Sequence, residues 1–406
     1  MTELYFLDRS LSVTLGPIDD FISLVWSERY DTCGSFTLVL PMRQEVFAAA
    51  LASAYLEVRA RQCLGRIEKV TFTGGEGGGT MTVSGRMAES LLADRIISRG
   101  TVVSGPLCAA VEAVVAANAA EEAGERAIPC LVVRASEPFV GTDGLPLTVE
   151  DRVNGRQLDE WLYETLGSCG ASYRIVPDHD AGVLVFSVYR GLDRTQAQEE
   201  NSFAVFSASF SSAGEFDFLS DNTDCRNFAW IAGEGEGDAR VMVTLDLRQD
   251  EREPRRELYV DARDLRSSDG EEQMSEETYR NLLLARGRQR LAQHAAVMRV
   301  SGSAAVYTEE DGTDAGAERV PAWGNALAPV GGVFSSSMIC GVHYALGDLC
   351  DIVSDGLGML WSERVTEVTY IYEGSRVRVE PRFGTAYPDL RMWIRSRVGD
   401  LVGVDR

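Results

Sequence analysis

The chain has 406 residues, 45% of them hydrophobic and 25% charged, enough apolar mass for the cores of about two to four domains. Its net charge of -23 argues against tight binding to duplex DNA or RNA, which rests on Lys and Arg neutralising phosphates. No apolar run reaches the roughly 18 residues of a membrane-spanning helix, and the acidic N-terminus has no signal-peptide pattern, so assembly in a cytoplasm is expected.

The first strong pattern is Phe21 to Pro41. Ile22, Leu24 and Trp26 alternate with polar or outward residues, and so do Phe36, Leu38 and Leu40. This period of two predicts two strands with one buried row each, joined by a turn at Tyr30 to Gly34 and stopped by Pro41. A short helix is expected over 43–53, a strand through Leu56, Val58 and Ala60, and a second hairpin over 66–85. The tip of that hairpin is the glycine run 74–79, which a strand follows. A phosphate-cradling loop would be followed by a helix. A helix over 88–97 closes this first β-rich region.

From about residue 101 the pattern becomes helical. Pro106 stands at a helix start, followed by Leu107, Val111, Val114 and Val115 at helical spacing. A Pro- and Gly-containing segment spans 128–146. A second helix is predicted over 155–168, with Leu158, Trp161, Leu162 and Leu166 on one face and Gly170 as its left-handed cap. A hairpin follows over 172–189. Its turn holds Asp178-His179-Asp180, a set of potential metal ligands. Consecutive turn residues point apart, so a solvated turn is expected.

Strand character returns at 203–210 and in a hairpin over 227–247 around the glycine run 233–238. That run lacks the G-x-G-x-x-G spacing of a dinucleotide site. The charge-dense stretch 246–268 reads as a solvated connection or a salt-bridged interface. Ser275 is the expected N-cap of a helix over 276–296 carrying Tyr279, Leu283, Ala285, Leu291 and Ala295. The last β stretch, 297–385, contains an exposed loop over 308–328 and a final hairpin around Glu373-Gly374. Residues 386–406 read as a C-terminal tail.

His179, His294 and His343 are the three histidines, and the eight cysteines are dispersed without a C-x-x-C. Reduced, mostly buried thiols are expected. There is no H-E-x-x-H, G-x-S-x-G or Walker loop. The sequence therefore nominates no catalytic residue, no metal ligand and no cofactor-binding residue.

The segments SLVWSERYDTCGSFTLVLP, GRIEKV, MTVSGRMAESLLADRII, FAWIAGEGEGDARV, LYVDARD and YALGDLCDIV follow one another in an order that resembles the ReqiPepy-type family of siphophage structural proteins. That family is related in fold to the central baseplate hub of contractile tails. The resemblance covers most of the chain and implies a multidomain α+β protein. Two β-barrel-like domains, residues 1–100 and 200–385, would flank an α/β module at 101–199. The second would be interrupted by the helix near 275–296. The resemblance further implies a non-enzymatic tail-tip protein in the virion, assembled in the host bacterial cytoplasm. It would form a homotrimeric ring that joins the tail tube to the tip. Its neighbours would be the distal tail protein, the tape measure and tip or fibre proteins, and DNA would pass through without being bound. The competing readings are a cell-wall glycan hydrolase working through paired acids and a carbohydrate-binding tail module.

Overall fold

The computed structural model describes residues 3–61, 63–75, 78–141, 144–207, 216–248, 250, 252–269, 272–302, 307–308, 338–354, 358–374 and 376–384. Nearly all of the loop expected over 308–328, the end of the strand expected over 203–210 and the tail at 386–406 lie outside them.

Seven strands fill the first region: β1 (Leu4–Leu7), β2 (Val13–Ile18), β3 (Ser23–Arg29), β4 (Ser35–Pro41), β5 (Tyr55–Val58), β6 (Cys63–Gly75) and β7 (Gly78–Met87). Helix α1 (Gln44–Ala52) links β4 to β5. In the β3–β4 hairpin Trp26 stands opposite Phe36 and Leu24 opposite Leu38, and all four are buried. The alternation therefore reports a real inward face. Ile22 is the exception, 48% exposed just before β3 begins. The helix expected over 88–97 is a 3-10 turn, Ala88–Asp94, with Ala88, Ser90, Leu91 and Leu92 all buried. Glu89 is half-buried and Asp94 exposed at its end.

The middle region holds β8 (Thr101–Pro106), α2 (Leu107–Ala119), β9 (Leu131–Val133), β10 (Thr148–Val153), α3 (Leu158–Gly167), β11 (Ser172–Asp178) and β12 (Val183–Tyr189). Strands β11 and β12 form the expected hairpin, and β9 joins it in parallel. The pair β8–β10 and strand β9 carry no marked alternation and were not anticipated. On α3, Leu158, Trp161, Leu162 and Leu166 are buried as the helical spacing predicts, and Gly170 has φ +65° just beyond the helix. One apolar cluster runs from Leu7, Tyr55, Leu64 and Leu91 of the first region into Val111, Trp161 and Phe186 of the middle one.

The last region contains β13 (Val205–Ser207), β14 (Phe216–Asp221), β15 (Phe228–Ala232), β16 (Met242–Asp246), β17 (Glu257–Asp261), β18 (Ser268–Asp269), β19 (Glu272–Gln273), α4 (Glu276–Gln293), β20 (Val297–Gly302), β21 (Tyr307–Thr308), β22 (Leu349–Ser354), β23 (Met359–Glu373) and β24 (Arg376–Gly384). Ser275 caps α4 by accepting the Thr278 N–H at 3.1 Å. Of the apolar residues expected on this helix, Tyr279, Leu283 and Leu291 are buried. Ala295 lies beyond its end and is exposed.

The first and last regions are joined by hydrogen bonds. Strand β23 pairs with β3 from Glu367–Arg29 to Glu373–Ser23. The sheet therefore runs β14-β20-β24-β23-β3-β4-β7-β6-β5-β1-β2. A single cluster beneath it combines Leu24, Trp26, Phe36 and Leu38 with Phe206, Tyr344, Val365, Val368, Tyr370 and Phe383. This corrects the expectation of barrel-like closure. Among the described residues the strands close no ring: off this order β21 pairs with β24, and β13 pairs with β22, which pairs with β23. The hydrogen-bonding edges that would close each region on itself are used to pair β3 with β23.

Strands β15, β16 and β17 stand apart as a three-stranded sheet. Helix α4 covers one face through a core of its own, including Ala229, Ile231, Val243, Val260, Leu282 and Leu283. Gly287 allows the close approach, since a Cβ there would stand 2.8 Å from Ile231 Cδ1. Arg286 ties this unit to the middle region, reaching Asp151 at 3.3 Å and Asp264 at 3.1 Å. Asp151 also accepts the Trp161 indole N–H at 2.9 Å.

Candidate interaction surface

The polar motifs singled out in the sequence are used for structure. Asp178 and His179 diverge as expected: Asp178 pairs with Arg134 at 3.0 Å, while His179 Nε2 lies 2.6 Å from Glu57 Oε1. The latter contact is not the solvated turn predicted. Glu57 is fully buried in β5, and Arg59 Nε stands 3.1 Å from its other oxygen. Sequence reading missed Glu57 because it sits in a strand buried on both faces, where alternation carries no sign of burial. His343 accepts the Ile339 N–H through Nδ1, and His294 ends α4, where its carbonyl accepts the Arg226 N–H. The histidines thus serve three separate elements. Among the described residues no group of three or more His, Cys, Asp or Glu is placed to hold a metal ion.

All eight cysteines are free thiols. Cys108 and Cys350 are buried and the others half-buried, so burial is less general than expected. Desolvation raises the thiol of Cys350 well above its ordinary value and pushes Cys340 up to about 11. Both are poor nucleophiles at neutral pH.

The seam between the first and middle regions is closely hydrogen-bonded. Tyr30 donates to the Gly170 carbonyl at 3.0 Å, and Ser172 donates back to the Tyr30 carbonyl at 2.5 Å. The Tyr30 and Tyr189 rings meet edge to face at 5.3 Å. Glu89 accepts the Ile175 N–H at 3.1 Å. Burial pushes the Glu89 carboxyl up to about 7.

The face of the three-stranded sheet away from α4 is exposed around Trp230, while Phe228 and Ala232 beside it are buried. Register places Trp230 opposite both Thr244 and Tyr259, Phe228 opposite Asp246 and Glu257, and Ala232 opposite Met242 and Asp261. Trp230 is 38% exposed, Met242 45% and Tyr259 59%. Ion pairs rim this aromatic centre: Asp246 with Arg248 at 2.7 Å, Glu257 with Arg255 at 2.7 Å, and Asp261 with both Arg240 and Arg263. The Arg255 guanidinium lies 3.5 Å from the Phe228 ring centroid. Arg248 holds the Asp246 carboxyl down at about 2, so that pair stays charged at neutral pH.

An aromatic centre with a polar rim is the usual anatomy of a protein–protein contact. The stretch expected as a charged connection encloses β17 and supplies much of this rim. A signal was present in the sequence. Asp246 and Arg248, Arg255 and Glu257, and Asp261 and Arg263 are each two residues apart, the spacing that puts both partners on one face of extended chain.

Residues 3–385 match the family described as siphovirus ReqiPepy6 Gp37-like protein. No curated protein matches the chain. The fold is similar to that of the tail protein from Neisseria meningitidis MC58, with a TM-score of 0.52 and 12% identity over 95% of this chain and 96% of that one. It is also similar to the 43 kDa tail protein of prophage MuSo2 from Shewanella oneidensis, with a TM-score of 0.50 and 13% identity over 94% and 97% of the two chains.

Proposed function

Because the chain belongs to the siphovirus ReqiPepy6 Gp37-like family, we propose that it is a structural hub of a long-tailed phage or prophage tail, a homotrimeric ring joining the tail tube to the distal tip. The observation that carries this reading is the β3–β23 pairing, which sets two β regions side by side in one sheet. A tube of six-fold rings meets a three-fold tip through a body that offers six similar surfaces. Two β units per chain, times three chains, supply that match.

In this reading residues 1–100 and 200–385 face the tube and residues 101–199 extend toward the tip. The distal tail protein, the tape measure and tip or fibre proteins are the neighbours, and assembly takes place in the host cytoplasm before the virion forms. The chain works without catalysis and without a cofactor. Its charge of -23 lets DNA pass a ring lumen without adhering. The isolated chain can remain monomeric when dilute, since ring closure gains from neighbours by mass action.

The test is an electron-microscopic reconstruction of the tail tip with this chain labelled. A three-fold ring with the two β regions adjacent and superimposable is expected. Any other symmetry, or β regions of unrelated fold, overturns the proposal.

A further inference from the structure

A cleft of about 800 Å³ opens where residues 8–10 and 51–55 of the first β region meet Arg66, Leu91, Asp94, Arg95, Ile128 and Pro129. A second hollow of about 660 Å³ shares Asp94 and Arg95 with it and continues past Arg99 and Arg126. Together they are lined by five arginines, Arg9, Arg66, Arg95, Arg99 and Arg126, against three carboxylates, Asp8, Asp94 and Glu125. On a chain of net charge -23 this reversal of sign is local and specific.

Three carboxylates offset only part of the charge of five guanidinium groups. Asp8 is turned into its own loop, accepting the N–H groups of Ser10 and Ser12 at 2.8 and 3.0 Å. Asp94 is matched by Arg66 at 2.9 Å. Arg95 and Arg126 donate to the backbone carbonyls of Arg126 and Ile96, which orients them without neutralising them. Arg9 and Arg99 are exposed and enter no ion pair among the described residues. Apolar surface accompanies the charge, with Leu51 62% and Ile96 52% exposed along the walls.

We infer that this cleft is a docking groove for an extended acidic segment of a partner polypeptide carrying at least one apolar side chain. Charge complementarity favours such a segment. A short acidic strand reaches the arginines without bringing a second large negative body against this one, whereas two copies of the chain repel at long range. Arginine forks suit carboxylates in bidentate geometry.

The experiment measures fluorescence anisotropy of the full chain with a labelled peptide of alternating glutamate and leucine, beside the same peptide with glutamine for glutamate. Binding about tenfold or more tighter for the acidic peptide is expected, weakening as salt rises. The double variant Arg9→Glu, Arg99→Glu should lose that preference while its thermal melting is unchanged, since neither side chain is in an ion pair. Equal affinity for the two peptides overturns the inference, as does unchanged binding by the double variant. So does self-association in sedimentation that depends on Arg9 and Arg99 when the acidic peptide does not bind.

Discussion

Burial pushes the Glu89 carboxyl up to about 7, and the Ile175 N–H at 3.1 Å pulls it only part of the way back. The ordinary value is 4.5, so the folded state holds the proton more tightly than the unfolded chain. The resulting stability is complete below pH 4.5 and is lost as pH rises through about 7. Its size is at most on the order of 3 kcal/mol. Glu89→Gln keeps an acceptor for Ile175 and removes the titration. Urea unfolding at about pH 5.5 and about pH 8 should therefore show a smaller pH difference in the variant than in the parent; an equal difference would place the titration elsewhere. A second residue-scale case is Phe36, whose ring occupies the space left by Gly65, where a Cβ would stand 2.4 Å from the ring. Phe36→Ala should cost roughly 3–5 kcal/mol. Gly65→Ala should also destabilise, but less in the Phe36→Ala background, because the ring it strikes is gone. Additive losses in denaturant titration would contradict the packing described.

At the scale of elements, strand β15 separates core from surface one residue at a time. Ile231 is fully buried against α4, and Trp230 is 38% exposed on the opposite face. Ile231→Ala should cost about 2–5 kcal/mol, while Trp230→Ala should cost less than about 1 kcal/mol. Thermal melting of the two variants decides it, and a larger loss for Trp230 would mean that this face is part of the fold's own core. The legible elements were those with a periodic face or a chemical punctuation mark: β3 and β4 by alternation, α3 by its row from Leu158 to Leu166, α4 by the Ser275 cap. Strands β8, β9 and β10 were not legible. Their β-character comes from the partner each finds, a property of pairing and not of any one segment.

For the whole molecule, the decisive contact is β3 with β23, made between residues more than 300 positions apart. Strands β22 to β24 supply Cys350, Ile352, Val365, Val368, Tyr370, Tyr372 and Phe383 to the cluster that holds Trp26 and Phe36. A chain cut after residue 200 would expose that cluster and the β3 edge. It should aggregate or lack fixed tertiary structure, seen as loss of the near-ultraviolet circular dichroism signal and elution in the void volume. A monodisperse, folded fragment 1–200 would show that the first region needs no help from the last.

Local patterning determined where Trp26, Phe36, Trp161 and Leu283 turn their side chains, because alternation and helical spacing depend only on near neighbours in the chain. Segment wording and order pointed to the family, which the match over residues 3–385 places beyond resemblance. Three features were decided only by tertiary structure: the joining of the two β regions, the burial of Glu57 beneath His179, and the gathering of Arg9, Arg66, Arg95, Arg99 and Arg126 along one cleft. Each depends on groups far apart in the chain. A single sequence holds no local trace of which strand edge, which carboxylate or which arginine will become a neighbour once the loops between them close.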